Sequence, residues 1–204
     1  MQQLPILIKD KFFKYLNGSE PITEFEPWIY QTKVLEDILS KDDYLYLISL
    51  DFSNKWVKYK IDNILRRYID LGEYETWKLK HLLFAFINED GNPQQLLDDI
   101  YDLYYDGYYF LESLGLGYEL CLESWADLSR SQELDSFLQR ARGEAQEVLS
   151  WLETNKIVIK TAHDDRNHFS VIDTRTEKEK KPTWYKLAKF SNRQQSQPWW
   201  KFWG

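Results

Sequence analysis

Residues 134–159 read LDSFLQRARGEAQEVLSWLETNKIVI, and the fold depends on the change of pattern within this stretch. Up to Leu152, apolar residues recur every three or four positions, which is the spacing of one face of an α-helix. These residues are Leu134, Phe137, Leu138, Ala141, Ala145, Val148, Leu149 and Leu152. Asn155 can end such a helix in a left-handed conformation, and the β-branched run that follows it predicts a strand.

A second strand is predicted shortly after the first. KIVIK (156–160) and HFSVIDT (168–174) are both short and β-branched, and the polar stretch AHDDRN (162–167) lies between them. This arrangement is typical of a β-hairpin with a polar loop. The next segment, RTEKEKKP (175–182), is so highly charged that we predict a solvated linker.

Helical spacing also dominates the chain before residue 134. One stripe consists of Val57, Ile61, Ile64, Leu65 and Tyr68, and another of Leu79, Leu82, Leu83 and Phe86. We therefore predict a mainly α fold, a single helical domain of six or seven helices with a small C-terminal β-hairpin and a basic aromatic tail. The acidic helical domain covers residues 1–155, the hairpin packed on it covers 156–175, and the linker and tail cover 176–204.

Three helix starts are indicated by capping residues. Thr23 and Glu26 have the spacing of a capping box, in which each side chain bonds the other's backbone N–H. Ser40 is followed by acidic residues in the next turn, which favours a second start. Asn92, followed by a proline, has the order of an N-cap and a first helical residue. We expect this third helix to continue through QQLLDDIYDLYYDGYYFLESL (94–114).

Charge is distributed unevenly along the 204 residues, whose net charge is −7. Up to Asn155 there are 28 acidic and 15 basic residues, a net charge of −13. From Lys156 onward there are 5 acidic and 11 basic residues, a net charge of +6. An acidic body repels nucleic acid and attracts basic proteins, so we expect a basic protein partner and no nucleic acid.

The cellular location is inferred from short apolar runs and a single cysteine. No stretch approaches the 18 or so uncharged apolar residues that a membrane span requires, and the apolar run near the start is too short for a signal peptide. One cysteine excludes an internal disulfide and suits a reducing compartment. We therefore expect a cytoplasmic protein.

Motifs for catalysis or for metal binding are lacking in the sequence. His163 and His168 flank the predicted hairpin loop without further zinc ligands, and Cys121 lies among apolar residues that favour an inert, buried thiol. No nucleophile elbow, zinc-protease motif or phosphate loop is present. We predict a non-enzymatic protein with no cofactor and no bound metal.

The helix predicted after Asn92 concentrates carboxylates and tyrosines. Asp98, Asp102 and Asp106 recur every four residues, which is typical of a solvated acidic face or of a surface for a basic partner. Six tyrosines fall between residues 101 and 118, and they suit either core packing or a partner surface. The predicted partner-binding residues are Asp98, Asp102, Asp106, Tyr101, Tyr105, Tyr108 and Tyr109.

The sequence QPWWKFWG (197–204) is a separate candidate anchor. Its aromatic residues surround one lysine, and they are Trp199, Trp200, Phe202 and Trp203 around Lys201. Such a segment can pack on the chain's own acidic body, contact another protein or another copy, or lie at a membrane surface. The sequence leaves these alternatives open.

Four stretches in order carry a family resemblance: ITEFEPWIY, YLYLISLDF, IYDLYYDGYYFLESLGLGYEL and EAQEVLSWLETNKIVI. Together they resemble small bacterial immunity proteins of polymorphic-toxin systems, over residues 10–175 or so and without the tail. The resemblance implies a protein that binds and blocks a co-expressed toxin, often a nuclease or another basic enzyme. The alternative expectation is a peripheral membrane or complex-associated protein that the tail anchors.

Overall fold

The structure is a computed structural model that describes residues 4–116, 134–162 and 169–180. The fold is mainly helical with a small two-stranded antiparallel hairpin near the C-terminus, which confirms the predicted class. The elements are α1 (Ile6–Leu16), α2 (Ile22–Gln31), α3 (Leu35–Ile38), α4 (Lys41–Ile48), α5 (Val57–Leu65), α6 (Leu71–Ile87), α7 (Pro93–Tyr105), a 3₁₀ turn (Tyr109–Leu111), α8 (Leu134–Glu153), β1 (Ile157–Thr161) and β2 (Phe169–Asp173).

The chain forms two compact units. Among the described residues, the first unit contains 4–78, 159–162 and 169–170. The second unit contains 79–116, 134–158 and 171–180. Each unit therefore combines a long run of helices with part of the hairpin sequence.

The core of the first unit is rich in aromatic side chains. The rings of Tyr15 and Phe25 stack with centroids 4.0 Å apart, and Phe12 meets Trp28 edge to face at 6.1 Å. Aliphatic side chains from α1 to α5 complete the core, among them Ile29, Leu35, Leu47, Ile61 and Leu65. Because each large ring removes about 150–250 Å² from water, a few aromatic residues supply much of this unit's hydrophobic stabilisation.

Strand β1 passes close to the start of α6 within the first unit. A Cβ atom added to Gly72 would lie 2.5 Å from the carbonyl oxygen of Ile159, so only glycine fits at this position. The Gly72 N–H donates to Thr161 Oγ1 at 3.2 Å, and that hydroxyl donates to Asp70 Oδ1 at 3.1 Å. Asp70 also accepts a hydrogen bond from the backbone of Glu73 at 2.9 Å, so one carboxylate links the helix start to the strand.

Two of the three predicted helix starts are confirmed. The Ser40 hydroxyl accepts the backbone N–H of Asp43 at 3.1 Å, and the Asn92 side chain accepts that of Gln94 at 2.9 Å. The capping box at Thr23 is wrong, because α2 begins at Ile22 and Thr23 already lies inside its first turn. Pro21 precedes α2, and its carbonyl oxygen accepts the backbone N–H groups of Glu24 and Phe25.

Helix α8 has the predicted buried stripe. Its buried residues are Phe137, Leu138, Ala141, Ala145, Val148, Leu149 and Leu152, whereas Leu134 is only half-buried. The backbone of Asn155 is left-handed, with φ of 56°, as the sequence predicts. The Lys156 N–H then donates to the Trp151 carbonyl at 2.9 Å, the six-to-one hydrogen bond that closes a helix of this kind.

Helix α7 is shorter than the sequence predicts. It ends at Tyr105 instead of continuing to residue 114, because Gly107 adopts a φ of 106° that reverses the chain. The N–H of Tyr108 donates to Leu103 at 3.1 Å and that of Gly107 to Tyr104 at 3.2 Å, the two bonds of a Schellman motif. A 3₁₀ turn and the helical residues 112–116 follow as a separate segment.

Candidate protein-interaction site

Helix α7 orients the predicted aspartates through its buried face. Leu97 and Ile100 are buried and fix the inner side of the helix. Asp102 and Asp106 are exposed, and Asp98 is half-buried. Asp98 and Asp102 lie within the helix, and Asp106 is its C-cap residue.

No basic residue in the described part of the chain neutralises the carboxylates of α7. There is no Lys or Arg between residues 93 and 106, and none of the four aspartates there forms an ion pair with a described residue. Burial raises the pKa of Asp98, and the neighbouring carboxylates of Asp99 and Asp102 raise it further. Acidic residues are also unfavourable near a helix C-terminus, where the helix dipole is negative. A cation at this face would therefore relieve an existing electrostatic repulsion.

Exposed tyrosines lie beside these carboxylates. Tyr105 is 77% exposed and Tyr109 is 72% exposed. The rings of Tyr101 and Tyr105 are 6.1 Å apart, and Tyr109, turned back by Gly107, meets Tyr104 edge to face at 6.0 Å. We call this surface the acidic tyrosine face, formed by Asp98, Tyr101, Asp102, Tyr105, Asp106 and Tyr109.

Tyr108 requires a correction, because the structure buries it. Its side chain is only 2% exposed, and its ring lies 6.0 Å from that of Phe110 within the second unit. After the reversal at Gly107, Tyr108, Phe110 and Leu111 are buried, while Tyr109 stays in solvent. Tyr108 is therefore not part of a partner-binding surface.

A cavity of about 210 Å³ adjoins Tyr109 in the second unit. Its aromatic walls are Tyr109, Phe110 and Trp151. Five carboxylates and two cations also line it: Glu112, Glu144, Glu147, Asp173, Glu179, Arg175 and Lys180. We call it the second-unit cavity. Because Tyr109 belongs to both, the cavity extends the acidic tyrosine face.

Arg175 lies at this cavity and contradicts the prediction of a solvated linker. Its side chain is buried, its guanidinium donates from Nε and Nη2 to the two carboxylate oxygens of Asp173, and it lies 4.5 Å from the centre of the Trp151 ring. These hydrogen bonds hold the pKa of Asp173 below its usual range. The sequence gives little indication that Arg175 is buried, because it lies in a charged segment and its contact with Trp151 exists only in the folded chain.

The other charges around the cavity fall into two groups. Lys156 pairs with Glu179, and this contact together with hydrogen bonds from Thr176 lowers the pKa of Glu179 to about 2. In contrast, Glu112 and Glu147 form no ion pair with any described residue. The cavity therefore offers two uncompensated carboxylates beside aromatic walls.

Several predicted residues lie outside the described part of the chain. These are the tail anchor, Trp199, Trp200, Lys201, Phe202 and Trp203, together with His163, His168 and Cys121. Residues 4–116, 134–162 and 169–180 contain no group of three His, Cys, Asp or Glu side chains that could hold a metal ion. Within the same ranges, no helix combines the length and the apolar character needed to cross a membrane.

In comparisons with known proteins, no protein-family model matches the chain, and no match was found among curated proteins or solved structures.

Proposed function

We propose that this chain is a non-enzymatic, immunity-like interaction protein that binds and blocks a basic protein through the acidic tyrosine face. The observation that carries the proposal is the negative charge of α7, which no described residue neutralises, beside two highly exposed tyrosines. Tyrosine supplies a large rigid contact area and a hydroxyl, and opposite potentials speed and orient association. The surface has the composition that a basic protein partner requires.

The second-unit cavity supports the same proposal. A lysine or arginine side chain from the partner would meet the carboxylates of Glu112 and Glu147 and the aromatic wall at Tyr109, since Trp151 is already engaged by Arg175. Such a cation gains from charge–charge attraction and from the negative face of the Tyr109 ring. One anchoring side chain of the partner in the cavity, with other basic residues along α7, accounts for both features together.

The experiment begins with capture of a partner from native lysate by the tagged chain. The captured protein is identified by mass spectrometry, purified, and mixed with the chain in stopped-flow measurements at increasing salt. The association rate should fall steeply, because the screening length shortens from about 30 Å at 0.01 M salt to about 8 Å at 0.15 M. The partner's own activity, measured with and without the chain, tests whether binding blocks it.

Charge reversal tests which surface binds. Asp98→Lys, Asp102→Lys and Asp106→Lys together should slow association by at least an order of magnitude. The matched control reverses the exposed residues Glu24, Glu36 and Asp42 of the first unit, which gives the same net charge. If both triple variants bind equally well, or if the captured partner is acidic, the acidic tyrosine face is not the binding site.

A further inference from the structure

A surface of opposite charge lies on α5 in the first unit. Residues 54–68 read NKWVKYKIDNILRRY and contain five basic residues and one acidic residue, in a chain whose net charge is −7. Lys55, Lys58 and Arg66 are exposed, and Lys60 is half-buried. This is an island of positive charge in an acidic protein.

The cations of this island outnumber its carboxylates, because Asp62 is the only acidic residue between 54 and 68 and interacts with Lys58 and Arg66 without forming an ion pair. Lys55, Lys58, Lys60 and Arg66 form no ion pair with any described residue, whereas the adjacent Arg67 pairs with Asp43 at 2.8 Å. Lys55 and Arg66 lie instead over the rings of Trp56 and Tyr74, at 5.1 and 6.0 Å from their centres. Four positive charges are therefore available to an anionic group from outside.

Two large aromatic side chains accompany these cations. Trp56 is 61% exposed and Tyr59 is 67% exposed. The apolar stripe of α5 is already used in the core of the unit, where Val57, Ile61, Ile64 and Leu65 are buried. The exposure of Trp56 and Tyr59 is thus separate from the packing that holds the helix in place. Trp and Tyr are the residue types most enriched among energetically important interface positions.

A cavity of about 350 Å³ adjoins the start of the same helix. Ile22, Phe52 and Val57 give it an apolar wall. Its charged lining residues are Lys55, Lys58 and Glu20, and Glu20 is already paired with Lys11 at 2.6 Å. We call it the first-unit cavity. Because the two lysines of this lining form no ion pair with a described residue, acidic neighbours would be favoured beside an apolar side chain that entered the cavity.

We propose that α5 docks an acidic protein segment that inserts an apolar side chain into the first-unit cavity. The docking surface, the basic aromatic face, consists of Lys55, Trp56, Lys58, Tyr59, Lys60 and Arg66. Carboxylates of the segment bind the cations, and Trp56 and Tyr59 cover its backbone and side chains. The proposal is independent of the partner proposed for α7, because it uses a different unit and the opposite charge.

Two other anionic partners fit these observations less well. An interfacial helix inserts an apolar face into lipid, and the apolar face of α5 is buried in the core. Nucleic acid requires a track of cations long enough to follow the phosphates, and the acidic remainder of the chain repels it. An acidic segment with one apolar anchor uses both the charges and the cavity.

The test uses the full chain and a fluorescein-labelled peptide of Asp and Glu residues around a central Leu-Leu pair, followed by anisotropy. Binding of this peptide should weaken about tenfold or more with Lys55→Glu/Lys58→Glu, and also with Trp56→Ala/Tyr59→Ala. The matched control, Lys33→Glu/Lys41→Glu, changes two exposed lysines of the same unit and should bind within about twofold of wild type. Circular dichroism establishes that each variant is folded.

Competing ligands decide between the proposal and its alternatives. A peptide with Ser-Ser in place of Leu-Leu should bind at least about tenfold more weakly, because it leaves the cavity empty. The proposal is overturned if the Leu and Ser peptides bind alike, or if the α5 and control variants bind alike. It is also overturned if oligo-dT or vesicles of anionic lipid bind α5 more tightly than the peptide, or if the chain self-associates through α5 in sedimentation experiments.

Discussion

The two units differ in how their charged side chains are matched. The described residues of the first unit contain 13 acidic and 12 basic residues, a net charge of −1, and those of the second contain 14 and 7, a net charge of −7. The acidity of the described chain is thus a property of one unit. Electrostatic attraction of a basic partner follows the local potential, so it should be directed to the second unit.

The ion pairs of the first unit can be compared with the acidic residues of α7 in the second. In the first unit, Lys9 of α1 pairs with Glu73 of α6 at 2.9 Å, and Lys11 of α1 pairs with Glu20, just before α2, at 2.6 Å. In the second unit, the aspartates of α7 have no such partner among residues 4–116, 134–162 and 169–180. Some carboxylates of the first unit are therefore used within the fold, whereas no described cation pairs with those of α7.

The largest predicted change in stability comes from replacing Gly72 in the first unit, and Gly143 in the second unit serves as the comparison. Gly72→Ala places a methyl group against the β1 backbone and should destabilise the chain by about 1–3 kcal/mol or more, since backbone cannot move aside as a side chain can. Gly143 lies exposed in α8 with no neighbouring atom near an added Cβ, so Gly143→Ala should stabilise it by about 0.5–1 kcal/mol. Urea denaturation measures both values. Equal effects of the two substitutions would mean that β1 does not pack closely on α6.

The next effect tests whether a charge inside the second unit is structural. Arg175→Met removes the paired hydrogen bonds to Asp173 and should cost about 1–3 kcal/mol, with Arg175→Lys intermediate because lysine lacks the planar fork. The control Lys178→Met, at an exposed lysine outside any ion pair among the described residues, should change stability by less than about 0.5 kcal/mol. A solvated Arg175 would make the two methionine variants indistinguishable.

The loss of stability in Arg175→Met should depend on pH. The pKa of Asp173 is lowered in the fold, so its pairing stabilises the chain above the unfolded carboxyl pKa of about 3.9 and is lost as the pH falls through the lower folded value. The difference in unfolding free energy between wild type and Arg175→Met should therefore be full near pH 6 and shrink below about pH 4. A difference that stays constant through this range would show that the Asp173 charge is not involved.

Local rules predicted the parts of the fold that depend on neighbouring residues. The stripe of α8, its end at Asn155 and the caps at Ser40 and Asn92 follow from spacing and from short-range hydrogen bonds. The end of α7 was missed because apolar aromatic residues continue past Gly107, so the helical spacing persists where the backbone turns. There the glycine was the correct signal and the apolar pattern was misleading.

Candidate-site residues were harder to predict because their role depends on tertiary packing. Tyr108 and Tyr109 are adjacent and chemically identical, yet one is buried and the other exposed. Arg175 is buried because Trp151, which is distant in sequence, covers it. Asp102 and Asp106, in contrast, are exposed as their spacing predicted. Composition thus indicates where charges concentrate, and only the folded chain shows which of them are matched.

The smallest predicted changes in stability concern acidic residues at helix ends in the two units. Asp42 lies in the first turn of α4, where the helix dipole favours a negative charge, whereas Asp102 and Asp106 lie at the end of α7, where it is unfavourable. Asp42→Asn should therefore cost about 0.3–1 kcal/mol, and Asp102→Asn/Asp106→Asn should stabilise the chain by a similar amount. Removing the Asp102 charge should also bring the pKa of Asp98 closer to its usual range, which carboxyl NMR titration would measure.

The stability of Asp102→Asn/Asp106→Asn distinguishes a structural role of these two aspartates from a role in binding. If Asp102 and Asp106 stabilise the fold, the double variant loses stability, and thermal unfolding shows it directly. If they are retained for a cationic partner, the same variant gains stability and binds that partner more weakly, because the repulsion that destabilises the free chain is what the partner relieves. A variant that gains stability without losing affinity would remove the electrostatic argument for binding at α7 and leave only the exposed tyrosines and the second-unit cavity in support of the proposed surface.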